Sequence, residues 1–117
     1  MRKLTLAAIR RGAWQILTKE VTVINLVGQR PDTESRCEYD EHSLEIWVDD
    51  YKTRLDYAVV HELIHKLLDR HFDPVFNYWV SENFIVSLEK PFFKRMSNKE
   101  LSRWRRMIRQ KIVRKRR

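Results

Sequence analysis

The chain has 117 residues, 43% of them hydrophobic and 11% aromatic, and a net charge of +8. That length fits one domain with a modest core, and two glycines and three prolines argue against a long flexible linker. The single cysteine, Cys37, excludes an internal disulfide framework and fits a reducing, cytoplasmic setting.

The charge is uneven. Residues 94–117 hold twelve Lys or Arg against one acid, Glu100, a net of +11, whereas residues 1–93 hold twelve basic and fifteen acidic residues, a net of −3. The expected division is therefore a compact domain over 1–93 and a basic C-terminal helix or tail over 94–117.

In chain order, Met1-Arg2-Lys3 and the apolar run from Leu4 to Ile9 resemble a leader, but Arg10-Arg11 ends the run too early for a secretory core. No stretch is long enough to span a bilayer. Leu4, Ala7, Ala8, Trp14 and Leu17 predict a helix over 3–18. The β-branched run from Glu20 to Val27 predicts a strand ending at Gly28, and Gln29 to Ser35 reads as a polar loop. Arg36–Asp40, which carries Cys37 as a half-buried strand residue, and Ser43–Val48 flank Glu41-His42 and read as a hairpin. Its second arm puts Leu44, Ile46 and Val48 on one face and Glu45 and Trp47 on the other, with His42 solvated at the turn.

Thr53, followed three residues on by Asp56, reads as a helix N-cap, and the helix runs to about Arg70. Asp73-Pro74 is a second helix start. That helix is apolar on most sides, through Phe76, Trp79, Phe84, Ile85 and Val86, so it should be buried, and Pro91 should stop it. Ser97 and Glu100 form a capping box for a last helix with one apolar stripe of Leu101, Trp104, Ile108 and Ile112. The sum is an α+β domain: a small antiparallel sheet packed on a helical pair, plus the basic helix.

His61-Glu62-Leu63-Ile64-His65 names a chemistry. Four residues apart on a helix, the two imidazoles lie on one face and can share a small cation. Zinc favours such nitrogen donors, and catalytic zinc keeps a position for water. Glu62 stands beside the pair, where a carboxylate can take that water's proton, which is the equipment of metal-assisted amide hydrolysis. The bland alternative is a structural helix with two satisfied histidines. Tyr57–Val60 before the motif and Leu67-Leu68 after it predict a buried helix, where such polar groups are costly unless paired or liganded.

A catalytic zinc site needs a third protein ligand. His71 has the H-E-x-x-H-x-x-G-x-x-H spacing, but Leu68 occupies the glycine position that lets the chain turn back. Glu82 lies on the next helix, and its neighbours three and four residues away are Tyr78, Trp79, Ile85 and Val86, none of which offers a cation. If the helices turn near residues 71–73, His65 stands about 9–10 Å up one arm and Glu82 about 14–15 Å up the other. Glu82 is the preferred ligand and His71 its rival. Glu89 shares Glu82's face two turns on and reads as a helix-end residue.

With His61, Glu62, His65 and a glutamate on the following helix, residues 35–90 resemble the gluzincin branch of zinc metallopeptidases. The size and layout are most similar to the minimal, single-domain H-E-L-[IL]-H proteins of phage and bacterial genomes. The resemblance implies zinc held by His61, His65 and Glu82, with Glu62 polarising the water and a peptide or protein as substrate. The chain departs from the family in the plain local motif Ser81-Glu82-Asn83-Phe84. It also lacks a clear residue to steady the tetrahedral intermediate, with Tyr39, Tyr51 and His71 left open. The spacing of His61, His65 and His71 is also similar to a bacterial metal-dependent ribosomal-RNA processing family, from which Glu62 and Leu68 depart.

The basic segment supports a different class of function. Dense Lys and Arg attract phosphates, and the attraction weakens steeply with salt. Trp104 is its only aromatic, so base readout is not indicated. The competing expectation is a non-enzymatic nucleic-acid or polyanion-binding module whose metal site is structural or vestigial.

Overall fold

Thr5 opens the first helix, α1 (Leu6–Gln15), by accepting a hydrogen bond from the Ala8 amide at 3.1 Å. The computed structural model describes residues 5–28, 42–48, 54–71 and 78–114, with the backbone alone for 70, 71, 78–82 and 114. After α1 the helix widens into a π segment, Ile16–Glu20, before strand β1 (Val23–Val27). The sequence predicted α-helix to residue 18 and strand from Glu20, so the π segment replaces the junction. It remains buried through Ile16 and Leu17.

Strand β2 (Ser43–Trp47) follows, then helices α2 (Leu55–His71), α3 (Tyr78–Lys94) and α4 (Asn98–Lys111), and a short strand β3 (Ile112–Arg114). The α+β class holds, but the sheet is parallel and not antiparallel. Its order is β2-β1-β3, and β1 pairs in parallel with both neighbours, Ile24 lying beside Leu44 and Ile112. Fifteen residues, 28–42, separate β1 from β2. A parallel connection needs a crossover of that order, whereas a hairpin needs only a few residues. The first arm of the expected hairpin, residues 36–40 with Cys37, lies outside the described residues, as do Tyr39, Tyr51, Thr53 and Pro74.

The alternation in β2 is as expected, with Leu44 and Ile46 buried and Glu45 and Trp47 half-buried. In β1, Asn25 is buried beside Ile24 and Leu26, so both sheet faces are covered at that point. His42 is exposed, and its carbonyl accepts from the Thr22 amide at 2.8 Å, joining the starts of the two strands.

Helix α2 supplies the centre of the core: Ala58, Val59, Val60, Leu63, Ile64, Leu67 and Leu68 are all buried. Gly12 lets α1 approach it, since a Cβ there would meet Leu67 Cδ1 at 2.8 Å. Among its described side chains, helix α3 is buried on one face. Ile85 is inaccessible, but Phe84 and Val86 are 40% and 52% exposed, contrary to the expectation of a helix covered on most sides.

Pro91 does not stop α3, which continues to Lys94. The last turn is held from outside: Arg10 donates to the Phe92 and Pro91 carbonyls at 2.7 and 2.8 Å, serving carbonyls that lack a helical partner. Phe92 and Phe93 then enter an aromatic cluster. Trp14 and Phe92 meet Trp104 edge-on at 5.0 and 5.2 Å, and Tyr57 stacks on Phe93 at 5.4 Å.

The N-cap half of the expected capping box forms at the start of α4, the Ser97 side chain accepting from the Glu100 amide at 3.2 Å. Trp104 and Ile108 bury the stripe in the common core, so the basic helix is anchored to the body of the fold. The stripe ends sooner than predicted, because Ile112 adopts extended backbone and starts β3.

Candidate metal centre

Helix α2 carries the H-E-x-x-H motif in its middle, so His61 and His65 project one turn apart from a rigid, buried element. Their rings meet edge to face with centroids 4.8 Å apart, and the two Nε2 atoms are 3.2 Å apart. Two nitrogens bound to one tetrahedral zinc at ordinary bond lengths stand about 3.3–3.4 Å apart. The pair therefore matches two neighbouring vertices of a zinc site. Without a cation the same contact is a hydrogen bond from one ring to the other.

Glu89 fixes which nitrogen of His61 is available. Its Oε1 lies 2.8 Å from His61 Nδ1, with both side chains largely screened from solvent. A carboxylate accepts, so Nδ1 carries the proton and Nε2 keeps its lone pair for a cation. This carboxylate–histidine arrangement orients and enriches a metal-binding imidazole. Glu89 is thus a ring-orienting partner and not a free helix-end residue. The same signal that singled out Glu82 marks it in the sequence: its helical neighbours Ile85, Val86, Phe92 and Phe93 are all apolar.

The pairings of His61 with Glu89 and of Tyr57 with Phe93 show that α2 and α3 run antiparallel, with one turn matching one turn. Extrapolated along the seam, His65 is level with Ile85, and Glu82 is level with Leu68. A turn centred on residue 72 would instead put His61 level with residue 83, so the observed pairing with Glu89 differs from that expectation. Glu82 and His71 lie on the backbones of α3 and α2, and their side chains lie outside the described residues. Glu62 is buried, 6% exposed, beside the histidine face.

Among the described residues, no three His, Cys, Asp or Glu side chains converge as a complete metal cage. The described portion brings together two nitrogen donors and an orienting carboxylate. Among the described residues, no helix is long and apolar enough to cross a membrane. No family model, curated protein or solved structure matches the chain.

Proposed function

We propose that the protein is a zinc-dependent peptide-bond hydrolase of the gluzincin type. The observation that carries this reading is the Nε2 pair of His61 and His65, 3.2 Å apart, with His61 oriented from behind by Glu89. In this reading His61 and His65 hold the zinc, and Glu82 completes the protein ligands from α3. Bound zinc would supply Lewis acidity that brings the pKa of a water toward neutrality.

Glu62 does the proton work. Its place directly after His61 sets it beside the ligand pair, and it takes a proton from the attacking water and returns it to the departing amine. Glu89 keeps His61 in the tautomer that offers Nε2. Strand β2 contacts α2 and is an outer strand of the sheet among the described residues, so it offers an edge on which an extended peptide could add.

Metal analysis of the purified protein tests the proposal. Roughly one zinc per chain is expected, lost in His61→Ala, His65→Ala and Glu82→Ala. A wild-type protein without affinity for zinc overturns it. Retention of zinc by Glu82→Ala, with loss in His71→Ala, moves the third ligand to His71.

A second reading, a polyanion-binding module, is favoured by the exposed side chains of Arg103, Arg105, Arg106 and Arg109 on α4. Its mark is binding to duplex DNA that weakens steeply with salt. DNA binding that ignores salt would count against it.

A further inference from the structure

One helical turn from His61, the seam between α2 and α3 opens into a cleft of about 440 Å³, bordered on its third side by α4. Its rim is cationic. Arg54, Lys90, Lys94 and Arg105 line it against one acid, Asp56. Among the described residues neither Lys90 nor Lys94 has an ion-pair partner. Arg105 stands 3.9 Å from Asp56, too far for a close ion pair and near enough to be redirected.

Contacts within the chain hold the side chains of the cleft. The Arg54 guanidinium lies over the Tyr57 ring at 5.1 Å and donates to the Tyr57 hydroxyl at 2.9 Å. Phe93 stacks on that ring with centroids 5.4 Å apart. Tyr57 is therefore already engaged by a guanidinium and by a second aromatic ring. The site combines fixed positive charge with a small concave volume, and these features suit a compact oxyanion.

We infer that this cleft is a subsite for the carboxylate or phosphoryl group of an acidic residue in a polypeptide lying along the α2–α3 seam. Tyr57 is one turn before His61, and Lys90 directly follows Glu89, so the anchored group would sit about 6 Å along the helix axes from His61, the nearer histidine. Selection of acidic substrates for turnover rests on the hydrolase reading, whereas binding of the acidic peptide does not.

The experiment measures fluorescence anisotropy of three labelled peptides on the full chain, identical except for a central Glu, phosphoserine or Gln. The Glu and phosphoserine peptides are expected to bind at least about tenfold more tightly than the Gln peptide. The double variant K90E/K94E, altered only at exposed positions, should lose that preference, and R105A should weaken it. Glu62→Gln should retain it. Equal binding of all three peptides overturns the subsite, as does an undiminished preference in K90E/K94E. Tighter binding of a single-stranded oligonucleotide that depends on Lys90 and Lys94 overturns it in favour of nucleic acid. An intact preference in a protein that never hydrolyses peptide supports the subsite and removes the hydrolase reading alone.

Discussion

Glu89 Oε1 stands 2.8 Å from His61 Nδ1, across the seam between two antiparallel helices. The contact joins residues 28 positions apart in the chain and gives the first histidine of the motif a fixed tautomer. Partners of this kind tune metal affinity without touching the metal. Glu89→Ala should therefore weaken zinc binding by about 10–100-fold, measured by competition with a chromogenic chelator. Glu89→Gln should fall between wild type and Glu89→Ala, because an amide oxygen still accepts from Nδ1–H. Unchanged affinity in both variants would remove Glu89 from the site.

In the proposed hydrolase, Glu62 has a role separable from metal binding. Glu62→Gln keeps the shape of the buried side chain and removes the base. Its zinc affinity should stay near that of wild type, while peptide hydrolysis falls by about two to four orders of magnitude, the usual worth of a positioned base. Parallel metal analysis and single-turnover hydrolysis test this. Equal turnover in Glu62→Gln and wild type would contradict the assignment.

The sequence made the motif helix legible because Ala58, Val59, Val60, Leu63 and Ile64 surround the motif with buried apolar residues. Ser97 and Glu100 announced the start of α4, since a capping box is a local hydrogen-bond pattern. Strand direction was not legible. Alternation in Ser43–Trp47 fixes which residues face inward and says nothing of whether the neighbour runs parallel. The course of α3 past Pro91 was also hidden, because the carbonyls there are met by Arg10, over eighty residues away in the chain. Glu89 carried the same isolation signal as Glu82. Its two-turn distance beyond Glu82 argues against it only while the offset of α3 against α2 is assumed, and periodicity does not fix that offset.

At Gly12, α1 packs directly against Leu67 of the motif helix. A Cβ there would lie 2.8 Å from Leu67 Cδ1 and 3.0 Å from Cδ2. Gly12→Ala asks only that the Leu67 side chain rotate, so its gain in helix propensity and its packing cost oppose each other. Gly12→Val adds two more methyl groups against a buried leucine and should cost about 1–3 kcal/mol. Urea unfolding of the two variants checks the order, and a Gly12→Val protein as stable as wild type would show that the helices can separate freely.

Lys111 closes the fold from the other end. Its ammonium donates to the carbonyls of Leu17, Thr18 and Val21, tying the end of α4 to the π segment that leads into β1. Lys111→Met keeps the aliphatic stem and removes the donor, and should cost about 2 kcal/mol. Burial also pushes the Lys111 ammonium below the ordinary lysine value of 10.5. The unfolded chain therefore binds that proton more tightly than the folded one. Between the lowered value and 10.5, unfolding takes up a proton, so stability rises with pH. Below the lowered value the desolvation penalty is present in full. Lys111→Met lacks this titration, so the stability difference between wild type and variant should widen as pH rises from about 8 toward the ordinary lysine value. Denaturant unfolding of both proteins across that range reads the difference directly. A gap that narrows would mean that the three carbonyls hold the charged form more strongly than burial opposes it.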